Sequence, residues 1–202
     1  MKTQREYLRA SDRRAATVEA VVALAARHNP SEITTTAIAQ EMGLTQGAVF
    51  RHFATKDTIL QAVMEWVAAG LMSRVDAAVR AALPPLRCVE SLFTAHVEFV
   101  ASHPGVPRIL LSELQRAEPS TPKGIVQAFL RRYGERVSQL LADAKQREEL
   151  PAALDTEAAA ILFVGTIQGL VLQGLLAGDV TRIRGDAPRV FAIYRRGIEA
   201  QP

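Results

Sequence analysis

A short polar cluster in the first third of the chain carries the side chains best suited to recognition chemistry. Gln46, Arg51 and His52 lie within one short stretch, and Lys56 follows at the predicted start of the next helix. Glutamine fits the N6 and N7 edge of adenine, and arginine fits O6 and N7 of guanine or a phosphate. The Ala48 methyl suits a thymine methyl. The cluster therefore predicts hydrogen-bonded recognition of a nucleic acid.

Two short helices around a glycine turn must position this cluster. Thr34 or Thr35 is suited to cap the first helix, because a hydroxyl accepts a hydrogen bond from a first-turn N–H. Gly43 lies where a helix ends in a left-handed residue, and Thr45 is suited to cap the second helix. The inward-facing residues are Ile38, Ala39, Met42, Val49 and Phe53. The pattern predicts a helix-turn-helix at about 34–53, whose second helix enters a major groove.

The stretch 33–56 also resembles the DNA-binding head of the TetR/AcrR-type bacterial transcriptional regulators. The matching positions are Thr34, Ile38-Ala39, Gly43-Leu44-Thr45, Gly47, Val49, Phe50, Arg51-His52-Phe53 and Lys56. The family usually has tyrosine where this chain has Phe50, and the tyrosine hydroxyl usually reaches a phosphate. The resemblance therefore implies groove docking with one phosphate contact fewer.

The predicted DNA contacts divide into residues that read bases and residues that position the head on phosphates. The full set is Thr34, Thr35, Thr45, Gln46, Gly47, Ala48, Phe50, Arg51, His52 and Lys56. A homodimer is expected to read pseudo-palindromic double-stranded DNA, because two recognition helices related by two-fold symmetry enter successive major grooves.

Composition favours an all-α fold. Apolar residues make up 49% of the 202 residues, aromatic residues only 5%, and alternating β patterns are almost absent. We predict a flexible arm at 1–10, a DNA-binding head of three helices at 11–71 with Ser11 or Asp12 as its first cap, and a helical bundle for dimerisation and ligand binding at 72–202. The net charge of +3 is too small to argue for nucleic acid by itself.

The stretch 158–176 is apolar on nearly every face, so it needs a second covering surface. The resemblance implies that the last two long helices of each subunit form a four-helix dimer interface. The predicted interface residues are Gly165, Gly169, Val190 and Tyr194. The alternative is a central helix in the core of a monomer.

A ligand pocket is the second expectation for the C-terminal part, and the resemblance implies a cavity between the fourth and eighth helices. The candidate lining residues are Trp66, His96, Phe99, Glu113, Phe129, Tyr133 and Gln168. Trp66 and Phe99 also suit a plain core, and His96 also suits a core histidine bonded to a backbone carbonyl. Gln168 suits a bond to a ligand or across the dimer. A neutral or weakly charged, mostly apolar effector is expected.

Several other classes lack their motifs. No phosphate-binding loop, nucleophile elbow or paired metal-ligand spacing occurs, which argues against an enzyme, a cofactor or a metal. The lone Cys88 suits a reducing cytoplasm, and no uninterrupted apolar run reaches membrane length. We therefore expect a cytoplasmic, ligand-responsive repressor.

One alternative keeps the head and changes its output. The residues of the helix-turn-helix, together with His103-Pro104-Gly105 and Arg108-Ile109-Leu110, also resemble a nucleoid-occlusion division inhibitor of the same superfamily. Such a protein acts through a partner protein while spread on DNA. An exposed apolar surface on the fourth and fifth helices would favour it, whereas a deep closed pocket would favour ligand control.

Overall fold

The computed structural model describes residues 10–199, and this part of the chain is all-α, as predicted. Its helices are α1 Ala10–Arg27, α2 Thr35–Glu41, α3 Gln46–Phe50, α4 Lys56–Arg80, α5 Pro85–Ser102, α6 Gly105–Leu114, α7 Thr121–Gln146, α8 Thr156–Leu176 and α9 Ile183–Ile198. Short 3₁₀ turns at Pro30–Glu32 and Val180–Arg182 precede α2 and α9. The arm predicted at 1–10 lies, except for Ala10, outside the described residues.

The helix ends confirm some sequence signals and correct others. The Asp155 carboxylate caps α8 by accepting hydrogen bonds from the N–H groups of Glu157 and Ala158, both at 3.0 Å. The two positions predicted as caps of the first helix, 11 and 12, lie within α1, which already includes Ala10. The sequence pattern predicts the last helix from about residue 187, which would put Pro188 in its first turn, but α9 begins at Ile183 and so has Pro188 in its interior. One proline near a helix start removes a single backbone bond, which the packing of α9 tolerates.

The chain divides into two compact units, and each unit combines two separate stretches of the sequence. The first unit combines Met1–Val67 with Gly105–Ile125, and the second combines Ala68–Pro104 with Val126–Pro202. The break after Val67 is near the predicted boundary at 71/72. The return of Gly105–Ile125 to the first unit was not predicted, because each predicted domain is continuous in sequence.

Within the first unit, α6 packs directly on α1. A Cβ atom built on Gly105 would lie 2.0 Å from the carbonyl oxygen of Val22 and 2.9 Å from the nitrogen of Ala26. Only glycine allows this backbone approach, since a side chain would overlap the α1 backbone. Arg27 adds an ion pair to Glu41 at 2.6 Å, which connects α1 to α2.

The core of the second unit joins α5, α8 and α9 through aromatic rings. Phe93 contacts the ring of Phe163, with centroids 5.5 Å apart, and the ring of Phe191, with centroids 5.0 Å apart. The Tyr194 hydroxyl donates to the Ala159 carbonyl at 3.0 Å. These buried contacts cover one side of α8 and leave its other side to solvent.

Candidate DNA-binding surface and effector unit

The turn between α2 and α3 has the geometry that a helix-turn-helix requires. The Thr34 hydroxyl caps α2 by accepting a hydrogen bond from the Ala37 N–H at 3.1 Å. Gly43 has φ +63°, the left-handed conformation expected of a glycine at a helix end. Thr45 occupies the N-cap position of α3 but makes no capping bond with its side chain. The first-turn N–H groups of α3 therefore receive no hydrogen bond from the Thr45 side chain.

Two buried side chains fix the orientation of α3. Val49 and Phe53 are each 2% exposed, and they lie four residues apart on the inner side. The guanidinium of Arg14 packs over the Phe53 ring at 4.7 Å from its centroid. Arg14 lies inside α1, and its contact with a residue so distant in sequence is not apparent from the sequence pattern.

The opposite side of α3 presents the predicted recognition residues. Gln46, Gly47 and Arg51 are exposed, and Ala48 and His52 are half-buried. Gln46 is not a freely moving side chain, since its Nε2 donates to the Thr35 hydroxyl oxygen at 2.9 Å. This contact orients Gln46 from α2, so the first helix of the motif fixes the direction of a predicted base-reading group.

Phe50 lies on the same surface and keeps 43% of its area exposed. The Phe50 ring is therefore only partly packed against the protein. An exposed phenyl ring next to Arg51 offers apolar contact to a thymine methyl or a sugar, and it has no hydroxyl to donate to a phosphate.

Lys56 has a structural partner that the motif did not reveal. Its Nζ donates to the carbonyl oxygens of Pro30 at 3.2 Å and Ser31 at 3.1 Å. Burial lowers the pKa of Lys56, while Glu113 and Asp57 oppose that shift. The ammonium thus connects the start of α4 to the turn after α1. A phosphate contact from Lys56 requires that the ammonium share or release one of these carbonyls.

The seven predicted pocket residues are divided between the two compact units. Trp66 and Glu113 belong to the first unit, and His96, Phe99, Phe129, Tyr133 and Gln168 belong to the second. Glu113 is 4% exposed and accepts hydrogen bonds from Ser120 at 3.2 Å and Arg116 at 3.5 Å. This network supplies the hydrogen bonds that a carboxylate buried on α6 needs.

Gln168 does not lie in the interior. It is exposed on α8 and borders a groove of about 610 Å³ between α7 and α8, together with Gly134 and Gly165. Of the two partners expected for Gln168, this position favours a second subunit over an internal ligand. The all-round apolar sequence of α8 concealed which side of the helix carries Gln168.

His96 and Tyr133 form a polar pair inside the second unit. The Nδ1 atom of His96 lies 3.0 Å from the Tyr133 hydroxyl, and the Phe129 ring contacts the Tyr133 ring with centroids 5.4 Å apart. Burial lowers the pKa of His96 to about 4, and the positive charge of Arg74 adds to this effect. His96 is therefore neutral at neutral pH. Its partner is a side-chain hydroxyl, whereas the core alternative expected a backbone carbonyl.

The predicted dimer residues differ in how far they are exposed. Gly165 and Gly169 are exposed, with no atom within 4 Å of a built Cβ, and Val190 is half-buried. Tyr194 is 4% exposed and bonds within its own chain, so its hydroxyl belongs to the α8–α9 contact of one subunit. The large exposed side chains of this face are Ile161 at 74%, Leu162 at 54%, Leu172 at 50%, Leu176 at 80% and Ile193 at 63%.

The α8 helix is also long and apolar enough to cross a membrane by length and composition alone. Such a helix occurs equally as a core or interface element, and Phe163 and Ile167 are buried within the unit. Within residues 10–199, no three histidine, cysteine, aspartate or glutamate side chains are grouped as a metal site requires.

Comparisons with known proteins agree with this geometry. A family model described as bacterial regulatory proteins, tetR family, matches residues 18–63. A nucleoid occlusion factor, SlmA, of Marinomonas sp. (strain MWYL1) is 22% identical over 161 residues, which are 80% of this chain and 82% of that protein.

Two solved structures share the fold over nearly the whole chain. The ketosteroid transcriptional regulator KstR2 of Mycobacterium tuberculosis is 21% identical with a TM-score of 0.76, covering 94% of this chain and 96% of that one. The regulator FadR from Bacillus subtilis, solved with stearoyl-CoA, is 17% identical with a TM-score of 0.78, covering 92% and 99%.

Proposed function

The chain belongs to the TetR family of bacterial DNA-binding regulators, and on this premise we propose that it is a homodimeric repressor released by a small organic effector. The observation that carries the proposal is the two-sided α3 helix. Val49 and Phe53 anchor its inner side, and Gln46 and Arg51 extend from its outer side as donors for base edges. The cytoplasmic location expected from the sequence is part of this proposal.

Selection of bound fragments from a random DNA pool tests the DNA-binding part. We expect a pseudo-palindrome, because a two-fold dimer presents two copies of α3. Arg51→Ala should weaken binding to the selected site by roughly 1–3 kcal/mol and relax the sequence preference at one position in each half-site. Arg80→Ala serves as the control, since it removes an exposed guanidinium from α4 outside the head. Selection of fragments with no shared sequence would contradict the proposal.

The proposed dimer forms through the exposed face of α8 and α9. Ile161 and Leu176 are 74% and 80% exposed, and apolar side chains of this size on one face mark an interaction surface. Burial against the same face of a second chain covers both copies at once, as two-fold symmetry requires. Sedimentation at micromolar concentration should find a dimer, and a monomer under those conditions would contradict this assignment.

The proposed effector site is in the second unit, where α5 and α7 place His96, Phe99, Phe129 and Tyr133. An apolar site with a few placed polar groups is the usual form of a small-molecule pocket. The B. subtilis regulator of the same fold was solved with stearoyl-CoA, which supports an organic ligand with a large apolar part. A compound that both raises the melting temperature and releases DNA would support control by a ligand.

A second candidate function follows from the similarity to a nucleoid occlusion factor over most of both chains. That function calls for an exposed apolar surface on α4 and α5. In the described part of the chain, the large exposed apolar side chains on or between these helices are Val79 at 42%, near the end of α4, and Leu83 at 44%, in the turn after it. This surface is smaller than the face of α8 and α9. Titration of DNA separates the candidates, since a repressor saturates at one dimer or a few dimers per operator, whereas a spreading factor continues to load.

A further inference from the structure

Four charged side chains line a crevice of about 340 Å³ in the first unit, between α6 and the start of α4. They are Lys56 and Asp57 in the first turn of α4, Glu113 in α6 and Arg116 just after α6. The Nη1 atom of Arg116 lies 3.2 Å from a carboxylate oxygen of Asp57 and 3.5 Å from one of Glu113. Arg116 therefore places one cation between two carboxylates that are far apart in sequence.

The two carboxylates differ in how firmly they are held. The Glu113 side chain is 5% exposed and also accepts a hydrogen bond from the Ser120 hydroxyl at 3.2 Å, so it anchors the guanidinium. The Asp57 side chain is 60% exposed, and Arg116 is its ion-pair partner in the described part of the chain. Exposed ion pairs add little to folding stability, because water screens both charges. The main consequence of the Arg116–Asp57 pair is therefore the negative charge that it neutralises.

This charge lies beside the predicted phosphate contact, since Asp57 follows Lys56 in the chain. Burial lowers the pKa of Lys56, Glu113 and Asp57 oppose that shift, and Arg116 adds to it, so all three charges act on the same ammonium. The two cations and the two carboxylates balance, and removal of Arg116 would leave one negative charge in excess. At about 0.1 M salt such a charge repels a phosphate over roughly 10 Å.

We propose that Arg116 is a positioning residue for DNA binding, which pairs with Asp57 and thereby lets a phosphate approach Lys56 without repulsion. Arg116 acts through Asp57 and does not itself contact the DNA. The inference rests on the DNA binding proposed above and adds a residue from outside the helix-turn-helix. The sequence gave no sign of this role, because no local pattern relates Arg116 to the start of α4.

Titration of labelled DNA by fluorescence anisotropy tests the role of the charge, with the selected fragment and an unrelated fragment measured side by side. Arg116→Met should weaken binding by roughly threefold for each head, or about tenfold for a dimer, and should do so equally for both fragments. Arg116→Lys keeps the charge and should restore most of the affinity. Arg87→Met is the matched control, because Arg87 is also an exposed arginine, paired with Glu90, but in the second unit. It should leave DNA binding unchanged.

A double variant separates a charge effect from a structural one. Asp57→Asn should bind DNA at least as tightly as the wild type, and in this background Arg116→Met should have no further effect. The loss in the single Arg116→Met variant should also shrink as the salt concentration rises, because screening shortens the range of the repulsion. Its melting temperature should stay within about 2 °C of the wild type, since the lost pair is exposed.

Four results would overturn the inference: unchanged DNA binding by Arg116→Met, a loss that persists in the Asp57→Asn background, a loss that does not depend on salt, or a melting temperature lowered by more than about 4 °C. The two fragments separate this inference from the repressor proposal. Binding that depends on Arg116 but is equal for both fragments supports the inference and contradicts a sequence-specific repressor. Specific binding that is the same with and without Arg116 supports the repressor and overturns the inference.

Discussion

The close approach of the Gly105 backbone to α1 in the first unit leads to a specific prediction about stability. Gly105 begins α6, and a Cβ at this position would lie 2.0 Å from the Val22 oxygen and 2.9 Å from the Ala26 nitrogen. Both atoms belong to the α1 backbone, so no side-chain rotation relieves the overlap. Because ordinary contacts require about 3.5 Å, Gly105→Ala must separate α6 from α1 by more than about 1 Å.

The loss of folding stability in Gly105→Ala follows from two opposing effects. Overpacking of a close contact costs roughly 1–3 kcal/mol, and the rigid backbone on both sides favours the upper end of that range. Alanine returns at most about 1 kcal/mol through its better helix propensity. We therefore expect Gly105→Ala to lower the free energy of unfolding by about 2 kcal/mol, or the melting temperature by roughly 4–8 °C for a chain of this length.

Gly134→Ala is the matched control, because Gly134 is inside α7 and a Cβ there meets no atom within 4 Å. This control should be neutral or slightly stabilising. Urea denaturation at fixed dimer concentration measures both variants. If Gly105→Ala were as stable as Gly134→Ala, the close packing of α6 on α1 would not exist in solution, and the account of the first unit would fail.

Three further predictions concern the surface, the interface and the interior. Lys56→Ala should weaken binding to all DNA sequences about equally and lower the salt slope of binding by about one unit. It should also destabilise the head, because the contacts to the Pro30 and Ser31 carbonyls are lost. A changed sequence preference in DNA selection would contradict the positioning role of Lys56. Gly169→Leu should shift sedimentation toward monomer, although the position is open within one chain, and an unchanged dimer would remove Gly169 from the interface. The pKa of His96 is about 4 in the folded protein and about 6.5 in the unfolded chain. The neutral, buried histidine therefore contributes fully to folding stability above about pH 6.5, and this contribution is lost as the pH falls from there toward about 4. Between pH 7 and about pH 4.5 the wild type should lose about 2 kcal/mol more than His96→Gln in urea denaturation, and equal losses would contradict the buried position.

Local sequence patterns determined the helices and the recognition motif, because each depends on residues a few positions apart. Thr34 as a cap, Gly43 as a left-handed turn residue and Asp155 as the cap of α8 are readable from their immediate neighbours. The spacing of Val49 and Phe53 also determined which side of α3 is buried, and hence which side presents Gln46 and Arg51. Cap chemistry and helical periodicity therefore gave most of the fold and the side of α3 that carries the predicted DNA contacts.

Contacts between distant segments depended on the tertiary structure. No local pattern shows that Gly105 meets the α1 backbone, that Lys56 bonds to the Pro30 and Ser31 carbonyls, or that Arg74 faces the Phe99 ring. The same limit applies at α8, where an apolar sequence on all sides left the direction of Gln168 open. Periodicity assigns a residue to a side of its own helix, but only the packing of helices far apart in sequence decides what that side meets, since the contact energy belongs to both partners.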